Sequence, residues 1–157
     1  MSNHLIVVDS NILVKWFIPE KYSKEASMLR DDHIYGRVKV IAPIYALLEF
    51  GNALRKYFLY GYLSRDKVIE AYELLINAEV CFKEVDYSLV QEAIKYSVDE
   101  HVTVYDAYYV VLAKKHNATF MYTADEKLLN KLSNVEHLVR HIKEYPKDRI
   151  TLLNITS

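Results

Sequence analysis

A short aliphatic run near the start of the chain, Leu5 to Val8, stops abruptly at an acidic residue, Asp9. Consecutive apolar residues rich in β-branched side chains are typical of a strand that is buried on both faces. Strands of this kind occur mainly in parallel sheets whose two faces are covered by helices. The run therefore predicts that the chain folds as an α/β domain.

Further strands alternate with segments of helical spacing along the whole chain. Strands are expected at 5–8, 38–42, 80–85 and 118–122, with weaker candidates at 138–141 and 150–155. Helices are expected at 12–17, 23–30, 44–60, 65–78, 88–98, 103–116 and 124–132. This alternation predicts a single domain, residues 1–157, with a mainly parallel central sheet that helices cover on both faces.

Composition narrows the class of protein but does not indicate its function. With 157 residues, 52% of them hydrophobic and 26% charged, and with only 3 Gly and 3 Pro, the chain has the make-up of one globular domain. The single cysteine, Cys81, excludes an internal disulfide and a zinc site built from several cysteines. The net charge of −1 neither favours nor excludes nucleic-acid binding, because a local patch or a bound cation can attract phosphate.

Nothing in the sequence indicates a membrane-spanning or targeting segment. The aliphatic run at 5–8 is too short for the core of a signal peptide. The uncharged stretch at 107–113 falls far short of the about 20 apolar residues that cross a bilayer. We therefore expect a soluble, cytoplasmic protein that does not bind a membrane.

Two acidic residues in the first third of the chain have both a structural and a functional interpretation. Asp9 opens an Asp-Ser-Asn sequence directly after the first strand, where such a sequence commonly caps a helix. Glu49 lies at the border of an apolar helix face, beside Asn52, where a glutamate can extend its carboxylate to water. At either position the alternative is a metal ligand.

Two more acidic residues lie at the starts of helices in the second half of the chain. Asp106 follows Thr103 by three residues, which fits an acidic variant of the capping box, in a helix that is apolar almost all round. Asp125 lies between Thr123 and Glu126, and that pair fits a capping box by itself. This pairing predicts no capping role for Asp125.

Each acid taken alone is better explained as structural, but their joint placement favours a shared site. Asp9 and Asp125 both follow predicted strands, and ligand sites in parallel α/β sheets form at the carboxyl ends of the strands. Carboxylates that share a cleft of low dielectric repel one another unless a cation lies among them. Mg²⁺ prefers oxygen ligands, and a metal held in this way can support phosphodiester cleavage.

The segments that carry these acids resemble the PIN-domain family, and VapC-type toxins in particular. The matching segments are residues 7–17, 48–54, 104–109 with 112–113, and 122–128. They occur in the family's order and span nearly the whole chain, and the match is loose only after Leu132.

The resemblance implies a three-layer α/β/α PIN fold and a metal-dependent endoribonuclease that uses Mg²⁺ or Mn²⁺. It implies an acidic catalytic and metal-binding site with two supporting polar residues: Asp9, Glu49, Asp106 and Asp125, supported by Asn11 and Thr123. We expect Asp9 and Asp106 to bind the metal directly, and Glu49 and Asp125 to bind it through water or to position that water.

The resemblance also implies partners. It implies that the chain is the toxin of a type II, VapBC-like toxin–antitoxin system. The partners would then be an RNA substrate, a cognate antitoxin and a second copy of the chain in a homodimer. Two alternatives stay open within the family. One is a PIN nuclease of RNA processing that is not a toxin, and the other is a catalytically idle PIN-like module that binds RNA or protein.

Overall fold

The computed structural model describes residues 4–155, which form five strands, eight α-helices and a short 3₁₀ helix. The strands are β1 (His4–Val8), β2 (Val38–Pro43), β3 (Cys81–Lys83), β4 (Phe120–Thr123) and β5 (Val139–His141). The helices are α1 (Ser10–Lys15), α2 (Ser23–Ile34), α3 (Ala46–Leu59), α4 (Arg65–Asn77), α5 (Tyr87–Glu100), α6 (Val104–Lys115), α7 (Glu126–Leu132) and α8 (Tyr145–Leu152). Within this part of the chain, no helix has the length and apolar character needed to cross a membrane.

The five strands form one parallel sheet in the order β3-β2-β1-β4-β5. The central strand β1 pairs with β2 on one side and β4 on the other, and Ile6 lies opposite Val40 and Phe120. Ile6, Val7 and Val8 are fully buried, as predicted for a strand covered on both faces. Helices cover both faces of the sheet, so the predicted three-layer α/β/α fold is confirmed.

The connections place several helix N-termini at the carboxyl edge of the sheet. Helices α1, α3 and α7 each follow a strand of the sheet, and α6 leads through its C-terminus into the start of β4. Because the strands are parallel, the first turns of these helices lie at the edge where β1, β2 and β4 end. Helix α6 is buried along its length from Ala107 to Ala113 and packs against β1, β2 and β4.

Side-chain caps begin three of these helices, α1, α6 and α7, and one of the three caps differs from the prediction. Thr103 caps α6, since its Oγ1 accepts from the backbone N–H of Asp106 at 3.1 Å, as expected. At α7 the N-cap is Asp125, not Thr123, and the predicted capping box is therefore wrong. The reason is that Thr123 is the last residue of β4 and its hydroxyl donates to Asp9 instead.

The C-terminal segment also departs from the prediction. A strand was expected at 150–155, but Ile150 and Thr151 belong to α8, which begins at Tyr145. Arg149 in this helix holds the buried Asp32 of α2 through two hydrogen bonds, of 2.8 and 2.9 Å. This ion pair with a distant helix outweighs the β propensity of the local sequence.

Candidate active site

The register of the sheet places Asp9 beside Thr123. Val8 pairs with Tyr122, and the backbone N–H of Asp9 donates to the carbonyl of Tyr122 at 3.3 Å. The Thr123 hydroxyl donates to Oδ2 of Asp9 at 2.5 Å, and both side chains are buried. Asp9 also caps α1, since its Oδ1 accepts from the backbone N–H of Ile12 at 3.3 Å. The capping and functional interpretations of Asp9 are therefore compatible.

Thr123 connects Asp9 to the half-buried Asp125. Its Oγ1 accepts from the backbone N–H of Asp125 at 3.0 Å, while its own proton goes to Asp9. One carboxylate oxygen of Asp125, Oδ1, accepts from the first turn of α7, from Lys127 at 3.0 Å and Leu128 at 3.2 Å. Capping uses Oδ1, so Oδ2 of Asp125 stays available for another ligand.

Glu49 and Asp106 come from the first turns of α3 and α6, and both are half-buried. Oε1 of Glu49 accepts a hydrogen bond of 2.7 Å from the hydroxyl of Tyr109. Tyr109 is itself buried and follows Asp106 by three residues, one turn along α6. Helix α6 therefore supplies one of the acids and also holds a second acid that belongs to α3.

Burial and neighbouring carboxylates raise the pKa of three of the acids, Asp9, Glu49 and Asp106. Burial raises the pKa of Asp9 from its usual 3.8 to about 7, and the negative charges of Asp106 and Glu49 add to this rise. Burial also raises the pKa of Glu49, and the charge of Asp106 adds to it. Burial raises the pKa of Asp106 as well, with a further contribution from the charge of Asp125. Asp9 therefore lies near Asp106 and Glu49, and Asp106 lies near Asp125.

A family model for the PIN domain matches residues 6–134, which is most of the chain and includes all four acids. The chain belongs to the PIN domain family. Members of this family are nucleases.

Solved structures share the fold of this PIN domain at low sequence identity. PAE2754 from Pyrobaculum aerophilum is 21% identical, with a TM-score of 0.67 over 96% of both chains. The sarcin-ricin-loop-cleaving toxin VapC20 from Mycobacterium tuberculosis is 16% identical, with a TM-score of 0.63 over 86% of this chain and 98% of its own. A chain of a toxin–antitoxin complex from Klebsiella pneumoniae is 12% identical, with a TM-score of 0.64 over 87% and 97%. No curated protein matches the sequence.

The side chains at this site have the chemistry that a hard divalent cation needs. Four carboxylates supply oxygen donors, and none of the ion pairs among residues 4–155 involves any of them. In the same part of the chain, no three His, Cys, Asp or Glu side chains form a compact metal-binding cluster. Mg²⁺ is commonly held by one or two carboxylates together with water and substrate phosphate, so an open arrangement of acids fits Mg²⁺ better than a closed cage.

The two supporting residues differ in how they are placed. Thr123 lies within the site and contacts two of the acids. Asn11 is exposed on the first turn of α1, and its side chain forms no hydrogen bond within residues 4–155. Tyr109 was missed by the sequence analysis. Its spacing of three residues from Asp106 could have shown that both lie on one face of α6.

Proposed function

We propose that this PIN domain is a metal-dependent endoribonuclease and the toxin of a type II toxin–antitoxin pair. The observation that carries the proposal is that Asp9, Glu49 and Asp106 lie near other carboxylates, and that burial and these neighbouring charges raise the pKa of all three. Neither these three acids nor Asp125 forms an ion pair within residues 4–155. Such a group is costly without a cation and suited to holding one. All four acids are present, which argues against an idle binding module.

In this proposal Asp9 and Asp106 bind Mg²⁺ or Mn²⁺ directly, and Glu49 and Asp125 bind it through water. A bound divalent cation lowers the pKa of a water molecule and neutralises charge on the scissile phosphate. The protein's part is to fix the carboxylates. Thr123 and the N-terminus of α1 hold Asp9 by hydrogen bonds. Tyr109 holds Glu49 in the same way, without adding a charge that would compete with the cation.

The partners proposed for this chain follow from its family and its structural neighbours. VapC20 is a toxin that cleaves the sarcin-ricin loop, and another neighbour comes from a toxin–antitoxin complex. These support an RNA substrate and an antitoxin partner for this chain. The homodimer and the cytoplasmic location expected from the sequence stay predictions.

The test is RNA cleavage by the purified protein with Mg²⁺ or Mn²⁺, and its loss in EDTA. Asp106→Asn keeps the size of the side chain and leaves the backbone cap with Thr103 in place, so the fold should survive. Because the substitution removes a negative ligand, we expect it to lower the cleavage rate far more than tenfold, where tenfold equals about 1.4 kcal/mol of transition-state stabilisation.

A matched control is Asp66→Asn. Asp66 also lies in the first turn of a capped helix, α4, but its side chain is 96% exposed and forms no part of the site. This variant should cleave RNA at the wild-type rate. If Asp106→Asn stays folded and also cleaves at the wild-type rate, the proposed function is wrong.

A further inference from the structure

An open pocket of about 310 Å³ lies directly beside the acidic site, between the N-termini of α3 and α6. It is lined by Tyr45, Leu48, Glu49, Asn52 and Tyr105. Leu48 precedes one of the acids in sequence, and Tyr105 precedes another, Asp106. Any group bound in this pocket would therefore lie next to a cation bound by the carboxylates.

The pocket presents an aromatic and an apolar side chain to solvent. Tyr105 is 65% exposed and Leu48 is 77% exposed, although both adjoin acids that are buried or half-buried. Leu48, Glu49 and Asn52 follow Tyr45 by three, four and seven residues, so the four side chains form one face of the α3 segment. Tyr105 faces them from α6.

The rear wall of the pocket is held rigidly. The hydroxyl of Tyr45 donates to the backbone carbonyl of Tyr105 at 2.7 Å. Its ring packs edge to face against the rings of Tyr105, Tyr108 and Tyr109, at centroid distances of 5.8, 5.6 and 5.4 Å. A rigid aromatic wall costs little conformational entropy when a ligand binds to it.

Polar and basic groups continue along the same helix. The amide of Asn52 is exposed and offers two donors and an acceptor, the set that reads the edge of a base. Arg55 and Lys56 follow it by three and four residues, and neither forms an ion pair within residues 4–155. The aromatic and apolar side chains can stack on a base, and the amide of Asn52 can bind the edge of that base. The two cations that follow can bind the phosphates of the same strand.

We infer that the pocket formed by Tyr45, Leu48, Asn52 and Tyr105 binds one unpaired base of the RNA substrate, stacked on Tyr105, next to the phosphate that is cleaved. The inference rests on the proposed function and specifies its substrate class. A base inside a duplex cannot reach an aromatic platform, so the substrate is single-stranded RNA or the unpaired part of a loop. Asn52 selects among bases through their hydrogen-bonding edges.

The experiment compares the binding and cleavage of labelled oligoadenylate, oligouridylate and oligocytidylate. Dissociation constants are measured by fluorescence anisotropy with Ca²⁺ in place of Mg²⁺, and kcat and KM are measured with Mg²⁺. Tyr105→Ala removes the stacking of one base, so we expect both Kd and KM for the preferred oligonucleotide to rise roughly five- to a hundredfold. Tyr105→Phe keeps the ring and should retain wild-type values. Asn52→Ala should change the order of preference among the three oligonucleotides.

The matched control is Tyr87→Ala, which removes a ring that is 93% exposed at the first residue of α5 and lines no part of the pocket. It should leave Kd and KM unchanged. If the protein cleaves RNA in an Asp106-dependent way but Tyr105→Ala has wild-type Kd and KM, the base-binding pocket is wrong and the nuclease proposal stands. If Asp106→Asn cleaves normally, the nuclease site itself fails, whatever Tyr105→Ala does.

Discussion

Two hydroxyl groups donate hydrogen bonds into the acidic site, from Thr123 to Asp9 and from Tyr109 to Glu49. A neutral donor satisfies a half-buried carboxylate without cancelling its charge, whereas an arginine or lysine would form an ion pair and compete with a metal. The hydrogen bond from Tyr109 opposes the burial that raises the pKa of Glu49. These hydroxyls therefore keep the acids oriented and available to a cation.

Removing the hydroxyl of Tyr109 should reduce cleavage while leaving the helix intact. Tyr109→Phe keeps the buried ring but leaves Oε1 of Glu49 without its donor. A hydrogen bond to a charged group contributes on the order of 1.5–3 kcal/mol, so we expect the cleavage rate at saturating RNA and Mg²⁺ to fall roughly ten- to a hundredfold. Steady-state kinetics on purified wild type and variant measure this.

Tyr108 supplies the matched control for this prediction. It is buried in the same helix, and its hydroxyl accepts from the backbone N–H of Asp86 at 3.1 Å, away from the four acids. Tyr108→Phe should cost stability without lowering the cleavage rate. Equal rates for Tyr109→Phe and Tyr108→Phe would show that Tyr109 has no role in holding Glu49.

At the level of single residues, the sequence indicated the four acids as candidates but gave no sign that Tyr109 holds Glu49. Asp9 could be placed at a strand end because the aliphatic run before it is short and unambiguous. The contact between Tyr109 and Glu49 joins two helices that are 60 residues apart in sequence, and no helical wheel of either one shows it. The cap of α7 was assigned wrongly for the same reason, since the hydroxyl of Thr123 is used by Asp9, a residue 114 positions away.

Among the helices and strands, the C-terminal helix α8 is an element whose formation depends on contacts with residues distant in sequence. Asp32 of α2 is 1% exposed and accepts from Arg149 and from the hydroxyl of Tyr145, both in α8. A strand was predicted here because Ile150 and Thr151 favour strands locally. The longer strands β1, β2 and β4 were predicted close to their observed limits, since their aliphatic runs form the core of the sheet.

Breaking this connection should destabilise the whole domain. Asp32→Asn leaves the largely buried guanidinium of Arg149 without its carboxylate, and we expect the free energy of unfolding to fall by about 3 kcal/mol. Burial alone would raise the pKa of Asp32, but hydrogen bonds from Arg149 and Tyr145 keep this pKa below its usual 3.8. The stabilisation is therefore present at neutral pH and is lost as the pH falls below 3.8. Urea denaturation at several pH values measures it.

The neighbouring residue provides the comparison. Asp31 lies in the same helix with a side chain that is 54% exposed, and within residues 4–155 its only ion pair is with the adjacent Arg30. Asp31→Asn should leave the unfolding curve nearly unchanged, since exposed pairs contribute little. If both variants unfold at the same urea concentration as wild type, the contact between α2 and α8 is not what holds the C-terminal helix.

At the scale of the whole molecule, four helix N-termini meet at the carboxyl edge of the sheet. The carboxylates gathered there destabilise the folded state when no cation is bound. Positive potential at the helix N-termini attracts anions, yet burial and mutual repulsion raise the pKa of Asp9, Glu49 and Asp106. Proteins retain unfavourable interactions of this kind at functional sites, and here a bound cation would relieve the repulsion among the carboxylates. The sequence indicated each acid, but the strength of their coupling depends on burial that only the assembled fold creates.

The raised pKa of Asp9, which is caused mainly by burial, makes the stability of the metal-free protein depend on pH. The pKa of Asp9 is about 7 in the folded state and 3.8 as an unperturbed side chain, so between these values the folded chain holds a proton that the unfolded chain has released. Stability should therefore fall as the pH rises from about 4 to about 7, by up to about 1.4 kcal/mol per pH unit, and then level off. Thermal unfolding in EDTA across this range measures it.

A divalent cation should reverse the trend, because it binds the ionised carboxylates of the folded state and not those of the unfolded chain. At a concentration of Mg²⁺ a hundred times its Kd, linkage contributes about 2.7 kcal/mol. The rise in Tm with Mg²⁺ should be large at pH 8 and small at pH 5, where Asp9 is protonated. Asp9→Asn can still cap α1, so it should fold, but it should lose both the pH dependence and most of the rise in Tm. Asp66→Asn, exposed and remote from the site, should keep both. A rise in Tm of the same size in wild type and in Asp9→Asn at pH 8 would mean that the cation stabilises the protein from somewhere else.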